Sequence, residues 1–510
     1  MRKKQLIRIS TLIASCIPFL IWAFININLD LWFDEIYSLQ TFALTPLINT
    51  VTNYIVPNNH IFFDLLLNLY LRILNITNIT SILQTPYLIR ILMLLICLIA
   101  IIYLYRIGTI LLNHSSSVLA VVLLVTTIPF VNFSLQIRGY CLSITLLSIL
   151  IYHTWRFEMS TDWKNGLMIV LAGTLALYTI PSNLYFILAV ICFYGGYQII
   201  RFEKHKRTLI SWPGSIRAAA LDYPMRIIYL MVGSVLLAIL LYSPVIGQVI
   251  NNPFVVSHGL FYLNTITQLM PHTFLDFVYG KWWLIPFVAI GFFAGLQSQG
   301  REKFLYYVLF CLTLLIVPFL ISFVRGDRPF DRVFVNLSFI MVLLLALCLD
   351  KLIYSWKIAP SFSNWVILAF IVFSYAGAFW AEKQIDAHIY ADIVSGNRSQ
   401  DLLYNYYLEH YSPFKVLSQF ASSGYDRSIP VYLVYQGFYY GQTYVSTYKI
   451  KYVMISNNLK GFVPNARGEA YIISAFQNKF SENLTKKFPK MDCVMLNGLD
   501  YLNVFKCETR

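Results

Sequence analysis

The chain has 510 residues, 58% of them hydrophobic and only 12% charged, with a mean hydropathy of +0.64. Soluble globular proteins carry about 45–50% apolar and about 25% charged residues. This composition therefore excludes a soluble enzyme, a disordered chain and a disulfide scaffold, and it requires lipid as the solvent. The net charge of +14 fits basic loops on the cytoplasmic side of a membrane protein. No nucleic-acid-binding pattern accompanies it, and nucleic acid is not expected as a partner.

Residues 1–8 read MRKKQLIR and lead into an apolar stretch over 9–25. Its small residues Ala14-Ser15-Cys16 sit in mid-run rather than at its end, where a cleavage site would fall. The stretch is read as a first transmembrane helix with the basic N-terminus in the cytoplasm. Further spans are expected near 87–105, 118–135, 139–155, 165–180, 182–200, 226–244, 283–298, 304–324, 333–350 and 364–380.

Segment 60–76 is shorter and carries Asp64, Asn68 and Arg72. If it does not cross, Arg106, the 156–164 stretch, the basic loop 201–217, Arg301, Lys303, Lys351 and Lys357 all fall on the cytoplasmic side. It is therefore expected as an amphipathic or re-entrant helix at the outer face. The expected class is an α-helical polytopic membrane protein with about 11 transmembrane helices, range about 9–13, and a small C-terminal extracytoplasmic α/β domain.

Residues 26–86, 245–282, 325–332 and the tail 381–510 then face outward. The tail holds 25 charged residues in 130, against 37 in the first 380, and the shift marks a boundary between a membrane module, 1–380, and a soluble domain, 381–510. A helix is expected over 399–422. Strands are expected at Val431–Tyr435, Tyr452–Ile455, Ala470–Ala475 and Cys493–Leu496, with Asn497-Gly498 as a turn signal. Cys493 and Cys507 could form a disulfide in an oxidising compartment; the other six cysteines lie in apolar runs.

Four outward pieces could carry chemistry. The first loop reads Leu29-Asp30-Leu31-Trp32-Phe33-Asp34-Glu35-Ile36-Tyr37-Ser38. Of two adjacent acids, one can face a cavity while the other makes a structural bond; a solvated pair beside an aromatic belt is the plainer alternative. Next comes Pro57-Asn58-Asn59-His60, where Asn58 or Asn59 could cap the following helix and His60 could donate to a phosphate. Third is Gln136-Ile137-Arg138-Gly139-Tyr140, whose arginine at the lipid face calls for an anionic partner or a headgroup. Fourth is Arg325-Gly326-Asp327-Arg328-Pro329-Phe330-Asp331-Arg332, where arginine forks suit phosphate oxygens.

The order of these pieces resembles the GT-C superfamily of polytopic glycosyltransferases, in particular the branch of the protein O-mannosyltransferases and the lipid A aminoarabinose transferases. The resemblance covers roughly residues 1–350. It implies sugar transfer from a polyprenyl-phosphate donor to an extracytoplasmic glycan, lipid or protein, on the outer side of a bacterial inner membrane or the lumenal side of the ER; the rich use of Ile, Asn, Lys and Tyr favours the bacterial membrane. It implies Asp34 as the catalytic base with Glu35 as its companion. Arg138, Arg328, Arg332 and His60 are implied at the donor phosphate, with Tyr140, Asn59 and Gln136 in support.

Two positions depart from the family pattern. Gln136 stands where an acid is common, and Val333 stands where a tyrosine often follows the late arginine. No cofactor is assigned, and the first departure leaves a role for a divalent metal open. The chemistry needs a carboxylate to deprotonate the acceptor and cations to hold the departing phosphate. A transporter or flippase, and a polysaccharide polymerase or ligase for lipid-linked glycans, are the competing readings. Carriers place polar groups at mid-bilayer, whereas these charges sit in outer loops.

Overall fold

The computed structural model describes the chain except residues 1, 55, 57–58, 207–222, 253–258, 327–328, 330, 356–359, 396–412, 435–442, 444–445, 456–458, 475–483, 485, 500–501 and 510. It forms two compact units. One comprises Met1–Ile25, Thr45–Tyr70 and Arg90–Ala381, and the other Asn26–Leu44, Leu71–Ile89 and Glu382–Arg510.

The first unit is helical, and every expected span is helical, that over 118–135 in two pieces. In order the helices are α1 (Arg2–Asn26), α2 (Phe33–Ser38, in the second unit), α3 (Leu47–Thr52), α4 (Ile61–Ile73), α5 (Ile79–Gln84, in the second unit), α6 (Tyr87–Leu111), α7 (His114–Val125), α8 (Ile128–Ser134) and α9 (Gly139–Ser160). They continue with α10 (Trp163–Thr179), α11 (Asn183–Lys206), α12 (Tyr223–Tyr242), α13 (Ile246–Ile250), α14 (Met270–Val278), α15 (Leu284–Gln297), α16 (Arg301–Arg325), α17 (Ser338–Ser355) and α18 (Pro360–Ser395). Among the described residues seven helices are long and apolar enough to cross a membrane, or eight if the bent pair α7–α8 is one span. The chain is an integral, multi-pass membrane protein.

The three other expected crossings, α9, α10 and α15, are helices outside this measure of length and apolarity. Helix α9 buries Ser143, Thr145, Ser148 and Thr154 against protein, and α10 and α15 have only 17 and 14 residues. At 1.5 Å per residue, α4 with its 13 residues reaches about 20 Å. That is shorter than a bilayer core of about 30 Å, and the helix buries Asp64 and Asn68 against protein.

The expected single span over 118–135 is broken, bending 69° between α7 and α8. Pro129, in the first turn of α8, lacks the N–H that a continuous helix would donate to the Val125 carbonyl. The Thr126 and Thr127 hydroxyls bond back to the carbonyls of Val122 (2.7 Å) and Leu123 (2.6 Å). The Thr126 carbonyl accepts from Nζ of the buried Lys281 at 2.5 Å. Burial lowers that amine to about 7, so it shares charged and uncharged forms near neutral pH and donates in both. Elsewhere α15 and α17 cross at Gly291, where a Cβ would lie 2.1 Å from the Cys348 carbonyl oxygen.

The second unit carries a five-stranded mixed sheet. Its strands are β1 (Val431–Val434), β2 (Val453–Ile455), β3 (Glu469–Ser474), β4 (Met491–Leu499) and β5 (Leu502–Thr509), ordered β2-β1-β3-β5-β4. β1 runs parallel to β2 and β3, while β5 is antiparallel to β3 and β4. One face packs Tyr432, Ile455, Phe462, Ile472 and Phe505. On the other, α19 (Pro413–Ser422) seats Phe420 edge-on to Tyr471, 5.3 Å between centroids.

Cys493 and Cys507 face each other in register and form a disulfide. The sequence reading missed β5 and misplaced the turn: Asn497-Gly498 lies inside β4, beside a bulge, and the β4–β5 connection is 500–501. The first half of the helix expected over 399–422 lies outside the described residues.

Candidate active site

The first unit assembles a cluster at the N-terminus of α9. Arg138 is extended (φ −144°, ψ 154°) and precedes the first helical residue, Gly139. The Gly139 N–H would be orphaned at this helix start, and it donates to His60 Nδ1 at 2.8 Å. The imidazole ring meets Tyr140 edge to face, 5.0 Å between centroids. The Arg138 guanidinium stands 5.9 Å from the centroid of the same tyrosine.

His60 and Arg138 are buried. Burial first, then the charges of Arg138 and Arg332, hold His60 well below its ordinary pKa. The ring is therefore neutral, with Nδ1 as acceptor and the proton on Nε2.

Asp64, one turn into α4, accepts the His60 N–H at 3.0 Å through Oδ2. This side chain caps the helix start. The capping role expected for Asn59 is corrected, because its amide donates to the carbonyls of Thr50 (2.9 Å) and Asn53 (2.5 Å) and ties down the preceding loop. Asn58 lies outside the described residues.

Burial raises Asp64 to about 8 against the pull of Arg138, so it is largely protonated at neutral pH. The unfolded carboxyl ionises near 3.8, so the folded state binds more protons between about 4 and 8. Stability should fall as pH rises through that window. Asp64→Asn, which keeps an acceptor oxygen, should flatten this dependence; thermal unfolding in detergent across the window checks it.

Arg332 sits on a 3-10 turn, Asp331–Leu337. A buried polar hub fixes this turn against α9. Asn336 Nδ2 and Ser143 Oγ both donate to Asn183 Oδ1 at 2.8 Å, and Asn183 Nδ2 donates to the Ala176 carbonyl at 2.7 Å. The sequence reading missed this hub; the polar Asn183 opening an apolar helix was its one visible signal. It also missed Arg90, fully buried near the start of α6.

Gly139 has a steric reason to be glycine. A Cβ there would lie 2.7 Å from His60 Nδ1 and 2.8 Å from Thr179 Cγ2. Gly139→Ala should displace the imidazole and cost about 1–3 kcal/mol of stability. A lowered thermal midpoint, with loss of the His60 resonance assigned to a neutral ring, is the expected readout.

The structure therefore brings His60, Arg138, Tyr140 and Arg332 together in the first unit, with Asn59 in the adjoining loop. Gln136 is fully buried, and its amide has no hydrogen-bond partner among the described residues. Arg328 lies outside the described residues. Asp34 and Glu35 belong to the second unit, both buried on α2. There Glu35 Oε2 accepts the Trp32 N–H at 3.1 Å, a helix-start bond of the capping-box kind. Among the described residues no group of three His, Cys, Asp or Glu could hold a metal ion. A hollow of about 330 Å³ elsewhere in the first unit is lined by Trp282, Trp283, Phe373 and Trp380 and contains none of these groups.

Two permanent cations beside a neutral imidazole suit an anionic ligand such as a phosphate. Residues 75–225 match the family model "Dolichyl-phosphate-mannose-protein mannosyltransferase". The fold is similar to that of ArnT from Cupriavidus metallidurans bound to undecaprenyl phosphate, with TM-score 0.50, 11% identity and 97% of each chain covered. The apo form of that protein gives TM-score 0.48 and 10% identity, covering 96% of this chain and 97% of the other. No curated protein matches the sequence. Residues 75–225 thus match a mannosyltransferase family model, and the chain as a whole has an ArnT-like fold.

Proposed function

We propose that the chain moves a sugar from a polyprenyl-phosphate donor to an extracytoplasmic glycan, lipid or protein. Its setting is a bacterial inner membrane, with the N-terminus in the cytoplasm and the C-terminal domain outside. The acceptor oxygen or nitrogen attacks the anomeric carbon and gives up its proton to Asp34. The bond from that carbon to the phosphate oxygen breaks, and polyprenyl phosphate departs with the electron pair. Arg138 and Arg332, with Arg328 beyond the described residues, hold the departing anion. His60 donates from Nε2.

The observation that carries this reading is the convergence of Arg138 and Arg332 on His60. The undecaprenyl phosphate bound to a protein of similar fold supports the choice of donor. Native mass spectrometry of the purified chain with undecaprenyl phosphate tests it. A retained one-to-one complex, displaced by excess of the same lipid and weakened in Arg332→Ala, is expected. Binding no stronger than that of an uncharged polyprenol would refute it.

A further inference from the structure

The second unit presents an edge that its own fold does not use. β4 is the outermost strand of the sheet, and on it Val494, Met495 and Leu496 are 66%, 50% and 48% exposed. Three consecutive large apolar side chains on an open edge are unusual, because edges are commonly blunted by charge. The approach to the strand is basic: Lys486, Lys487 and Lys490 are all exposed, Lys487 with its Nζ also donating to the Leu459 carbonyl at 3.2 Å. Over 486–496 three lysines face one acid, Asp492.

An apolar tip flanked by lysines is what the surface of an anionic bilayer takes. The side chains enter the boundary between headgroups and acyl chains while the ammonium groups meet lipid phosphates. Continuity of the chain points the same way, since this domain follows the span Asn364–Ile385 and is tethered to a bilayer. The edge is poorly built for a partner strand. Met495 pairs with Phe505 and Asn497 with Val504, which leaves Leu496 as a bulged residue and breaks the ladder there.

We infer that the β4 edge, through Val494, Met495 and Leu496 with Lys486, Lys487 and Lys490, docks the C-terminal domain on an anionic lipid surface. This inference is independent of the sugar-transfer reading. The full chain, with an environment-sensitive coumarin amino acid in place of Met495, is placed in nanodiscs of phosphatidylcholine, alone or mixed with phosphatidylglycerol. Nitroxide-labelled lipids serve as quenchers. The probe adds no thiol beside the Cys493–Cys507 bridge, and resistance of that bridge to alkylation before reduction reports an intact domain.

Quenching is expected in the mixed discs and should be much weaker in phosphatidylcholine alone. Lys486→Glu combined with Lys490→Glu should lower the docked-to-free ratio more than about tenfold. No quenching in the mixed discs would overturn the inference, as would equal quenching with and without phosphatidylglycerol. A blue shift of the probe that appears only when a disc holds two copies would also overturn it, in favour of a self-association edge.

Discussion

Asp34→Asn is expected to lower sugar transfer by about 10²–10⁴-fold, the usual contribution of a positioned general base, while membrane insertion and abundance stay normal. The amide matches the carboxylate in shape, so the buried position on α2 keeps its packing while its charge and its ability to take a proton are lost. The neighbouring acid provides the control. Glu35→Gln keeps an oxygen for the Trp32 N–H and should leave activity near normal. Glu35→Ala removes that bond and should cost about 1 kcal/mol of stability. Initial rates at saturating donor, with protein quantified on the same membranes, separate the two acids. Full activity in Asp34→Asn would remove it from the role of base.

Arg138→Ala is expected to weaken binding of undecaprenyl phosphate by about 10–100-fold, since a hydrogen bond to a charged group contributes about 1.5–3 kcal/mol. Arg138→Lys should recover only part of this. An ammonium keeps the charge but lacks the planar fork and its stacking on Tyr140. The same change should reach His60 by a separate route. Arg138 depresses the pKa of that ring, so its removal should move the titration of His60 upward. Calorimetric affinity and an NMR pH titration read the two effects separately. An unchanged affinity in Arg138→Ala would count against a phosphate role even if the titration moved.

The membrane spans were legible because lipid imposes a composition as well as a pattern. Long apolar runs such as those of α6 and α16 can be read directly, whereas 60–76 is set apart by its polar residues and by the charge of the flanking loops. The break between α7 and α8 was written locally in Thr126-Thr127-Ile128-Pro129, yet hydropathy alone runs straight through it. The hub of Ser143, Asn183 and Asn336 could not be read. Its bonds join positions 40 and 153 residues apart, and nothing local sets such pairs apart.

At the candidate site, His60, Arg138, Tyr140 and Arg332 were legible as polar residues opening apolar helices on one expected face. Their division of labour was not. The sequence offered Asn59 as the helix cap, but the side chain one turn further on, Asp64, has the better reach to the His60 N–H. In the tail, Asn497-Gly498 is a strong hairpin signal by residue type. The pairing of Cys493 with Cys507 and of Met491 with Thr509 instead sets the register so that the strand continues past it.

The account is tested most directly by mass spectrometry of lipid-linked sugars and surface glycans in a strain lacking this chain, complemented with the wild-type protein or with Asp34→Asn. The account predicts that a polyprenyl-phosphate sugar accumulates and that one glycan, lipid or protein loses the same sugar. Wild type should reverse both changes and Asp34→Asn neither. Unchanged lipid-linked sugars and glycans in the deletion strain, or full rescue by Asp34→Asn, would contradict it.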